Sequence, residues 1–551
     1  MYIFAFMTRL FLFFIFLVFS FFSQAQSTQY KWPVDAPPAL SANFGELRTN
    51  HYHMGLDART LQRENLRVFA AEKGFVSRIK IEPWGFGRAI YIEHPNGITS
   101  LYAHLNDFYP ELEKWVSQQQ YSLSSWQVDL KVPAGLFSVN RGQFIAYSGN
   151  TGGSMGPHLH FELRDTKTEI VLNPLIHGFS IADNVAPDVL RLAIYDRRIS
   201  TYEQSPRIIA LKRTGNSYKP LHPVVVSTNK ISFGISAYDR YTGSTNQNGI
   251  FKGVLYYNGN EQTRFILDSI SYDNTRYLNA HIDYKTKAAG GPYIQHLSKL
   301  GNKNNSIYKG GDGIIYLADS APQQIKILVS DTEGNTATIE LTVQASLNQT
   351  PVPSTKDKLI FRPEMINIFE NDSVRLYLSP KAIYDSFYFT YNAINSTGGT
   401  VYQIHKPIVP LQEFYKLNLF NNRFADTGKV IMKRYYGSKT DYKKATYQNG
   451  WYGAMWRDFG NFQLIYDNEP PVISPVTKSV SRIVFHITDN TEELQNFTAT
   501  LNGNWIRFSN DKNRAFIYKI DEYCLPGQNE LIITVEDLAG NKAERKFTFM
   551  H

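Results

Sequence analysis

Short β-rich runs alternate with turn residues through the first third of the chain. Between about Trp32 and Ile176, apolar and β-branched residues form short runs separated by Gly, Pro and Asn. This alternation is typical of strands joined by tight turns and predicts an antiparallel sheet domain. Residues 106–126 break the rhythm, being long, polar and aromatic, and predict a short helical insertion at the surface beside the sheet. The predicted strands are Arg67–Ala71, Gly74–Ile81, Ala89–His94, Thr99–Ala103, Phe144–Ser148 and His158–Leu163.

After residue 181 the β-rich stretches become longer, and two short segments recur. Asp183–Pro187 and Asp467–Pro471 have similar sequences, each with a proline where the preceding strand pairing must end. Asp331–Asn335 and Asp537–Asn541 each lie between two β-rich runs, as a hairpin turn would. The repeat of linker and turn predicts a pair of related immunoglobulin-like modules.

The combined pattern predicts a mainly β protein, because 551 residues exceed what a single hydrophobic core usually supports. We expect an amino-terminal antiparallel sheet domain followed by two or three β-sandwich modules. The expected segments are a signal peptide (1–25), the sheet domain (26–180), an immunoglobulin-like domain (181–348), a further β domain (349–466) and a second immunoglobulin-like domain (467–551).

The amino terminus has the pattern of a secretory signal. One cation, Arg9, precedes an apolar run from Leu10 to Phe22, and a small-x-small triplet ends at Ala25. The alternative is an uncleaved membrane anchor, for which the run is short. No other segment approaches ~18 consecutive apolar residues, so we expect no transmembrane segment in the mature chain.

Composition and charge narrow the class of protein. With 43% hydrophobic and 19% charged residues, the chain has the composition of a folded protein. Loss of Arg9 with the signal peptide would lower the formal net charge from +8 to +7. A positive net charge favours binding to anionic surfaces such as a cell wall. The Lys and Arg residues are dispersed, so nucleic acid is not an expected partner. The single cysteine, Cys524, excludes an internal disulfide.

Three segments concentrate the histidines of the sheet domain, at residues 53–57, 102–105 and 156–162. His158 and His160 are separated by one residue, so on a strand both rings lie on the same face. A catalytic zinc ion takes about three N or O ligands and keeps one position for water, and His53, Asp57 and His160 would supply that set. His51 is a rival to His53. A histidine taken alone is more often a hydrogen-bonded or surface residue than a ligand, so the prediction depends on the combination.

The order and local context of these segments resemble the lysostaphin-type family of zinc peptidoglycan endopeptidases, which includes the LytM autolysins. The resemblance covers about residues 43–163. It includes Phe44–Arg48 before the first histidines, Glu93–Gly97 before the Tyr-Ala-His-Leu segment, and Ser148–Gly153 before His158.

The resemblance implies that His53, Asp57 and His160 bind one zinc ion per chain, while His104 and His158 face the zinc-bound water and the scissile carbonyl. Zinc acidifies its water and polarises the amide, and an imidazole can exchange a proton near neutral pH. We expect Glu162 either to hold a ligand imidazole or to be an exposed carboxylate. The glycines at positions 149, 152 and 153 predict either a loop that brings backbone close to a peptide or an ordinary turn.

The function implied by the resemblance is that of an exported zinc metalloendopeptidase that hydrolyses peptide cross-links or stem peptides of bacterial peptidoglycan. The alternative is a non-catalytic regulator or envelope scaffold of the same fold that binds cell wall or an amidase. Such regulators typically lack ligands, whereas all five site residues are present here. The expected location is the periplasm or cell envelope, or outside the cell. The carboxy-terminal β modules are expected to be spacers or docking domains for other envelope proteins.

Overall fold

A computed structural model of the chain describes residues 30–301, 306–513 and 515–551. The predicted signal peptide, residues 1–25, lies outside the described residues. The predicted fold class is confirmed, because the described chain is mainly β, with an amino-terminal sheet domain and further β-sheet modules. None of the helices in the described ranges is long and apolar enough to cross a membrane.

The amino-terminal domain is built on one large antiparallel sheet with strand order β1-β4-β13-β8-β7-β6-β10 and a smaller sheet with order β5-β12-β9. Its apolar residues, such as Val76, Ile90 and Leu159, are fully buried in one core. Strands β1 to β14 are Leu40–Ala42, Leu47–Arg48, His51–Tyr52, Leu56–Arg59, Arg67–Phe69, Gly74–Ile81, Arg88–Glu93, Ile98–Ala103, Leu105–Phe108, Val128–Lys131, Ser138–Val139, Phe144–Ser148, His158–Asp165 and Val171–Leu172.

Strand β13 lies between β4 and β8, and this register brings distant parts of the sequence together. His160 is directly opposite Asp57 on β4 and opposite Ala103 on β8. Side chains of directly opposed residues lie on the same face of a sheet. The histidine and aspartate segments predicted to share a site are therefore neighbours in the sheet, and His104 follows immediately after β8.

The insertion forms helix α1, Pro110–Ser122, with Pro110 in its first turn, where no backbone N–H is needed. Leu112 and Val116 are buried against the sheet domain. The last turn is covered by the carboxy-terminal domain, where Tyr121 stacks on Tyr523 with ring centroids 3.8 Å apart. The predicted helix is therefore present, but its end lies in a domain interface rather than at a free surface.

The second domain has two sheets that bury a common core, with Leu192 on one sheet and Leu255 on the other. That core also contains Phe44, Tyr52 and Leu56 of the first domain, and β14 pairs with β23, so the two domains are continuous. Strands β15 to β28 are Asp188–Asp196, Arg207–Ile209, Leu211–Thr214, Ser217–Pro220, Val224–Val226, Lys230–Tyr238, Lys252–Tyr257, Asn260–Ile266, Ser269–Ile270, Gln295–His296, Tyr308–Gly310, Ile315–Tyr316, Gln323–Ser330 and Thr336–Ala345; helices α2 and α3 are Leu278–His281 and Tyr284–Ala288.

The third domain contains two five-stranded sheets around one core, which includes Leu417 from one sheet and Met432 from the other. Strands β29 to β40 are Ile360–Phe361, Asn367–Glu370, Val374–Leu378, Phe387–Tyr388, Tyr391–Ser396, Gly399–Ile404, Tyr415–Phe420, Val430–Tyr436, Lys439–Lys444, Thr446–Gln448, Trp451–Trp456 and Gly460–Tyr466.

The fourth domain packs a four-stranded sheet against shorter sheets, and its core includes Phe485 and Leu531. Cys524 is buried in this core as a free thiol. Strands β41 to β49 are Val472–Ile473, Thr477–Lys478, Arg482–Phe485, Ile487–Thr488, Leu494–Leu501, Asn504–Trp505, Phe516–Lys519, Gln528–Asp537 and Lys542–Met550.

Candidate metal centre

Three side chains of the amino-terminal domain converge on one point. His53 Nε2 lies 2.9 Å from Asp57 Oδ1 and 3.1 Å from His160 Nδ1, and the last two atoms are 2.9 Å apart. All three residues are buried, with 6–8% of their surface exposed. His53 precedes β4, Asp57 lies on β4 and His160 lies opposite it on β13, so the sheet register sets this geometry.

The outer nitrogen of each imidazole is held by an acceptor, which orients the inner nitrogen toward the group. His53 Nδ1–H donates to the carbonyl oxygen of Asn43 at 2.7 Å, and His160 Nε2–H donates to Glu162 Oε1 at 3.0 Å. In the neutral rings the inner nitrogens therefore carry lone pairs, and they face each other and a carboxylate. A proton shared within the group, or a metal cation bound to it, would satisfy these acceptors.

The charges around the group favour a cation at its centre. Burial opposes ionisation of Asp57, but His53, His158 and His160 outweigh it and hold the pKa of this carboxyl well below its usual value. Burial also disfavours a charged His160, yet hydrogen bonds to Asp57 and Glu162 raise its pKa to about 9. Two N donors and one O donor form a set that suits zinc. The residues present therefore fit a zinc ion.

Glu162 is the centre of a buried network behind His160. It is fully buried, and its Oε2 accepts a hydrogen bond from Arg164 Nε at 2.8 Å. The hydroxyl of Tyr272, from the second domain, donates to Oε1. Burial opposes ionisation of Glu162, but Arg164 and then His160 hold its pKa below the usual value. Of the two expectations for Glu162, the structure shows the contact with an imidazole, that of His160, and not an exposed carboxylate.

His104 and His158 lie side by side next to the three converging residues, with ring centroids 4.8 Å apart. His158 Nδ1–H donates to the carbonyl oxygen of Gly156 at 2.8 Å, and its Nε2 is 3.5 Å from Asp57 Oδ1. His104 Nδ1–H donates to the carbonyl oxygen of Thr151 at 2.8 Å. Burial, followed by the neighbouring His158 and His160, lowers the pKa of His104 to about 3, so this ring is neutral. In both rings Nε2 is left as the acceptor.

The other histidines considered from the sequence lie elsewhere. His51 is exposed, and its Nδ1 contacts the carbonyl oxygen of Thr49 at 2.8 Å, so the structure brings His53 rather than His51 into the group. His94 is buried, with its two ring nitrogens 2.8 Å from Lys73 O and Ser100 Oγ. Both ring nitrogens of His94 are therefore engaged in contacts within the sheet domain.

Comparison with known proteins places the amino-terminal domain in a family. DD-carboxypeptidase/endopeptidase Mpg of Neisseria meningitidis serogroup B is 34% identical over 130 residues, which make up 23% of this chain and 24% of that protein. An uncharacterized metalloprotease of Haemophilus influenzae is 33% identical over 138 residues, 24% of each chain. The amino-terminal domain is an M23 peptidase domain of the lysostaphin/LytM-like type. The chain spans about a quarter of the length of the curated relatives it matches.

Two further matches concern a solved structure and another domain. The catalytic domain of lysostaphin from Staphylococcus simulans is 21% identical; the match covers 28% of this chain and 95% of that chain, with a TM-score of 0.18. Residues 358–467, outside the M23 domain, match the family model of the Zu5-like domain.

The glycine-rich loop of the M23 domain packs against a second glycine turn. Gly152 has φ +68°, and a Cβ there would lie 2.2 Å from the backbone nitrogen of Gly87. Gly153 N–H donates to the carbonyl oxygen of Gly85 at 2.8 Å. The glycines thus allow two backbones to touch inside the domain. They fix the loop whose carbonyl oxygens, at Thr151 and Gly156, hold His104 and His158.

The carboxy-terminal domain holds the same loop from outside. The Lys512 ammonium donates to the carbonyl oxygens of Asn150 and Ser154 at 2.6 and 2.8 Å. Asp511 Oδ1 accepts a hydrogen bond from Gly152 N–H at 2.7 Å. A domain more than 300 residues away in sequence therefore contacts the loop beside the two histidines.

The second domain supports the M23 site at two points that sequence reasoning missed. The side chain of Asn43 exchanges hydrogen bonds with the backbone of Gly249, at 2.8 and 2.9 Å, while its carbonyl oxygen holds His53. Tyr272 reaches Glu162, which holds His160. Asn43 was visible in the sequence only as the start of the family resemblance, and no local signal marks Gly249 or Tyr272.

Proposed function

We propose that the protein is a zinc metalloendopeptidase that hydrolyses cross-linking or stem peptides of bacterial peptidoglycan. The observation that carries the proposal is the convergence of His53, Asp57 and His160 within 3.1 Å, with His104 and His158 side by side next to them. The M23 family of the domain supports the reaction class, and the curated relative in Neisseria is named for carboxypeptidase and endopeptidase activity.

His53, Asp57 and His160 would hold one zinc ion per chain. When bound, zinc supplies a nucleophile at neutral pH by acidifying a coordinated water, and it polarises the amide oxygen as a Lewis acid. The protein orients the ligands through Asn43 and Glu162. Hydrogen bonds of this kind fix the tautomer and the direction of each ring.

His104 and His158 are proposed as the catalytic side chains. Their Nδ1–H groups are engaged by loop carbonyl oxygens, so in the neutral form of each ring Nε2 is the acceptor. Such a nitrogen can accept a proton from the attacking water, and the resulting N–H can stabilise the carbonyl oxygen or protonate the leaving amine. The pair of carbonyl contacts keeps both rings in the tautomer that this task needs.

The proposed location follows from the proposed substrate. Peptidoglycan lies in the cell envelope, so the enzyme would be exported to the periplasm, the envelope or the exterior. The domains after residue 180 present β surfaces that we propose as spacers or docking sites for other envelope proteins.

The decisive experiment is digestion of purified sacculi by the full-length protein, followed by identification of the released products. We expect peptide-derived fragments with glycan strands left uncut. His158→Ala should abolish release, while His51→Ala, a change at an exposed histidine two residues before His53, should not. Shortened glycans, or undiminished release by His158→Ala, would reject the proposal. Zinc binding without any release would favour the non-catalytic regulator.

Metal content tests the ligand assignment separately. The wild-type protein should contain about one zinc ion per chain, whereas Asp57→Ala and His160→Ala should lose it. His158→Ala should keep the metal, because its ring lies beside the three converging residues rather than among them. Full metal content in both ligand variants would contradict the assignment.

A further inference from the structure

A second group of converging acidic side chains lies in the second domain, away from the histidines. Asp183 is in the linker that enters this domain, Asp239 follows β20, and Asp331 follows β27. Each offers a carboxylate oxygen, and these oxygens lie within 4.8 Å of one another. The linker and two strand ends therefore meet at one edge of the domain.

Two of the oxygens in this group are buried and lack a partner. Asp239 is only 2% exposed, and its Oδ1 accepts no hydrogen bond from any described residue. The same holds for Oδ2 of Asp183. A buried carboxylate without a partner is costly, because it has given up its water without replacement. The unpartnered oxygen of Asp239, close to two more carboxylates, indicates that a cation belongs there.

The remaining oxygens are fixed by hydrogen bonds, so the carboxylates are held in place before any ligand binds. Asp331 Oδ1 and Oδ2 accept from the backbone and side-chain amide of Asn335, at 2.9 and 2.7 Å. Asp183 Oδ1 accepts from Val185 N–H at 3.0 Å. These bonds leave Oδ2 of Asp183 and Oδ1 of Asp239 available.

The nearest positive side chain in sequence does not neutralise the group. Arg240 Nη1 lies 3.5 Å from Asp188 Oδ2, and its Nη2 contacts the Tyr238 hydroxyl. Burial, together with the charges of Asp331 and Asp183, raises the pKa of Asp239 to about 7. A bound divalent ion would offset the burial of the charge and the repulsion between the carboxylates.

We propose that Asp183, Asp239 and Asp331 form a calcium site that ties the interdomain linker to the second domain. Hard carboxylate oxygens suit Ca²⁺, whereas zinc prefers sets that contain nitrogen or sulfur. Mg²⁺ gives up its water reluctantly and demands a stricter octahedral geometry. The ion would therefore be distinct from the metal of the M23 domain in both position and chemistry.

Titration of the zinc-loaded full-length protein with CaCl₂ tests the site. We expect one additional Ca²⁺ per chain, with a Kd at or below about 1 mM, and a rise in Tm on addition of CaCl₂. Asp239→Asn should weaken Ca²⁺ binding at least about tenfold and abolish the rise in Tm. Asp319→Asn is the matched control, since it removes the same charge from an exposed position of the same domain outside the group, and it should behave as wild type.

Two results would overturn the proposal. One is a calorimetric titration of the wild type that shows no heat of binding, together with no shift in Tm, at about 10 mM CaCl₂. The other is wild-type Ca²⁺ affinity in a folded Asp239→Asn variant. If Asp239→Asn does not fold, as judged by circular dichroism, Asp183→Asn replaces it, because Asp183 is partly exposed in the linker and its loss is easier to accommodate.

Discussion

Glu162→Gln separates the charge behind a proposed metal ligand, His160, from the presence of that ligand. Glu162 touches no converging atom directly but accepts the outer N–H of His160 at 3.0 Å. Glutamine has nearly the same shape and can still accept that hydrogen bond, but it carries no charge. The substitution therefore removes the negative charge that raises the basicity of His160 and leaves the three proposed ligands in the chain.

The expected size of the effect follows from the type of contact. Mutation of an outer partner of a metal-bound histidine typically weakens metal binding 10- to 100-fold, which is about 1.4–2.7 kcal/mol. A second effect falls on stability, because Arg164 Nη2, 2.6 Å from Glu162 Oε2, loses its buried counter-charge. Breaking one side of a buried pair costs about 3 kcal/mol or more. The two effects are measured by different experiments.

Zinc affinity is measured by competition with a chromogenic chelator, and stability by urea unfolding of the metal-free protein. Glu169→Gln is the matched control, because Glu169 pairs with the same Arg164 at 3.2 Å but its side chain is 58% exposed. It should leave zinc affinity unchanged and stability within about 1 kcal/mol. Wild-type zinc affinity in a folded Glu162→Gln protein would refute the claim that the charge of Glu162 strengthens metal binding by His160.

Three further predictions concern the loop and the second domain. Lys512→Ala should lower kcat on a cross-linked peptide about tenfold with zinc content unchanged, because it removes charged hydrogen bonds to the loop. Gly152→Ala should destabilise the protein by about 1–3 kcal/mol in urea unfolding. Residue 152 has a positive φ, and the new Cβ would clash with the backbone of Gly87. Burial lowers the pKa of His281 to about 4 from its ordinary 6.5, so stability present above about pH 6.5 is lost as the pH falls toward 4. At pH 5 this loss is about 2 kcal/mol, and His281→Gln should remove that part of the difference between urea unfolding at pH 7 and pH 5.

Each of these predictions has a control. Lys519→Ala removes another lysine at the same interface, but one whose side chain is 73% exposed, and should not change kcat. Gly156→Ala adds a methyl group to the same loop where no atom lies within 4 Å, so equal destabilisation by both glycine variants would contradict the packing argument. His222→Gln changes an exposed histidine of the second domain. If it alters the difference in stability between pH 7 and pH 5 as much as His281→Gln does, burial of His281 is not the cause of that difference.

The features that could be predicted from the sequence are those with a local signal, namely strands and short motifs. The run from Gly74 to Ile81 and the run from Phe144 to Ser148 coincide with β6 and β12, because their turn residues and apolar content are local signals. His158 and His160 share a face because a strand has a period of two. The repeated turns also have the same internal contacts, with Asn335 bonded to Asp331 and Asn541 bonded to Asp537 in the same way.

The rest depends on contacts between segments that are distant in the chain. Lys512 reaches the loop of the first domain across more than 350 residues, and an isolated lysine in a turn gives no sign of it. Tyr272 is one tyrosine among 35, and only the fold shows that it touches Glu162. Strand order and domain docking decide such contacts, and neither has a short-range signature.

The M23 domain cannot be exchanged on its own without loss of contacts to the second domain. These contacts are the hydrogen bonds from Asn43 to Gly249 and from Tyr272 to Glu162. A fragment cut near residue 180 would keep every proposed ligand but lose both of these hydrogen bonds. It would also expose the apolar side chains of Phe44 and Tyr52 to water. A chimaera that carries the M23 domain should therefore exchange the first two domains, from residue 30 to the end of β28 at Ala345, as one block. The smallest portable unit of this protein is two domains long.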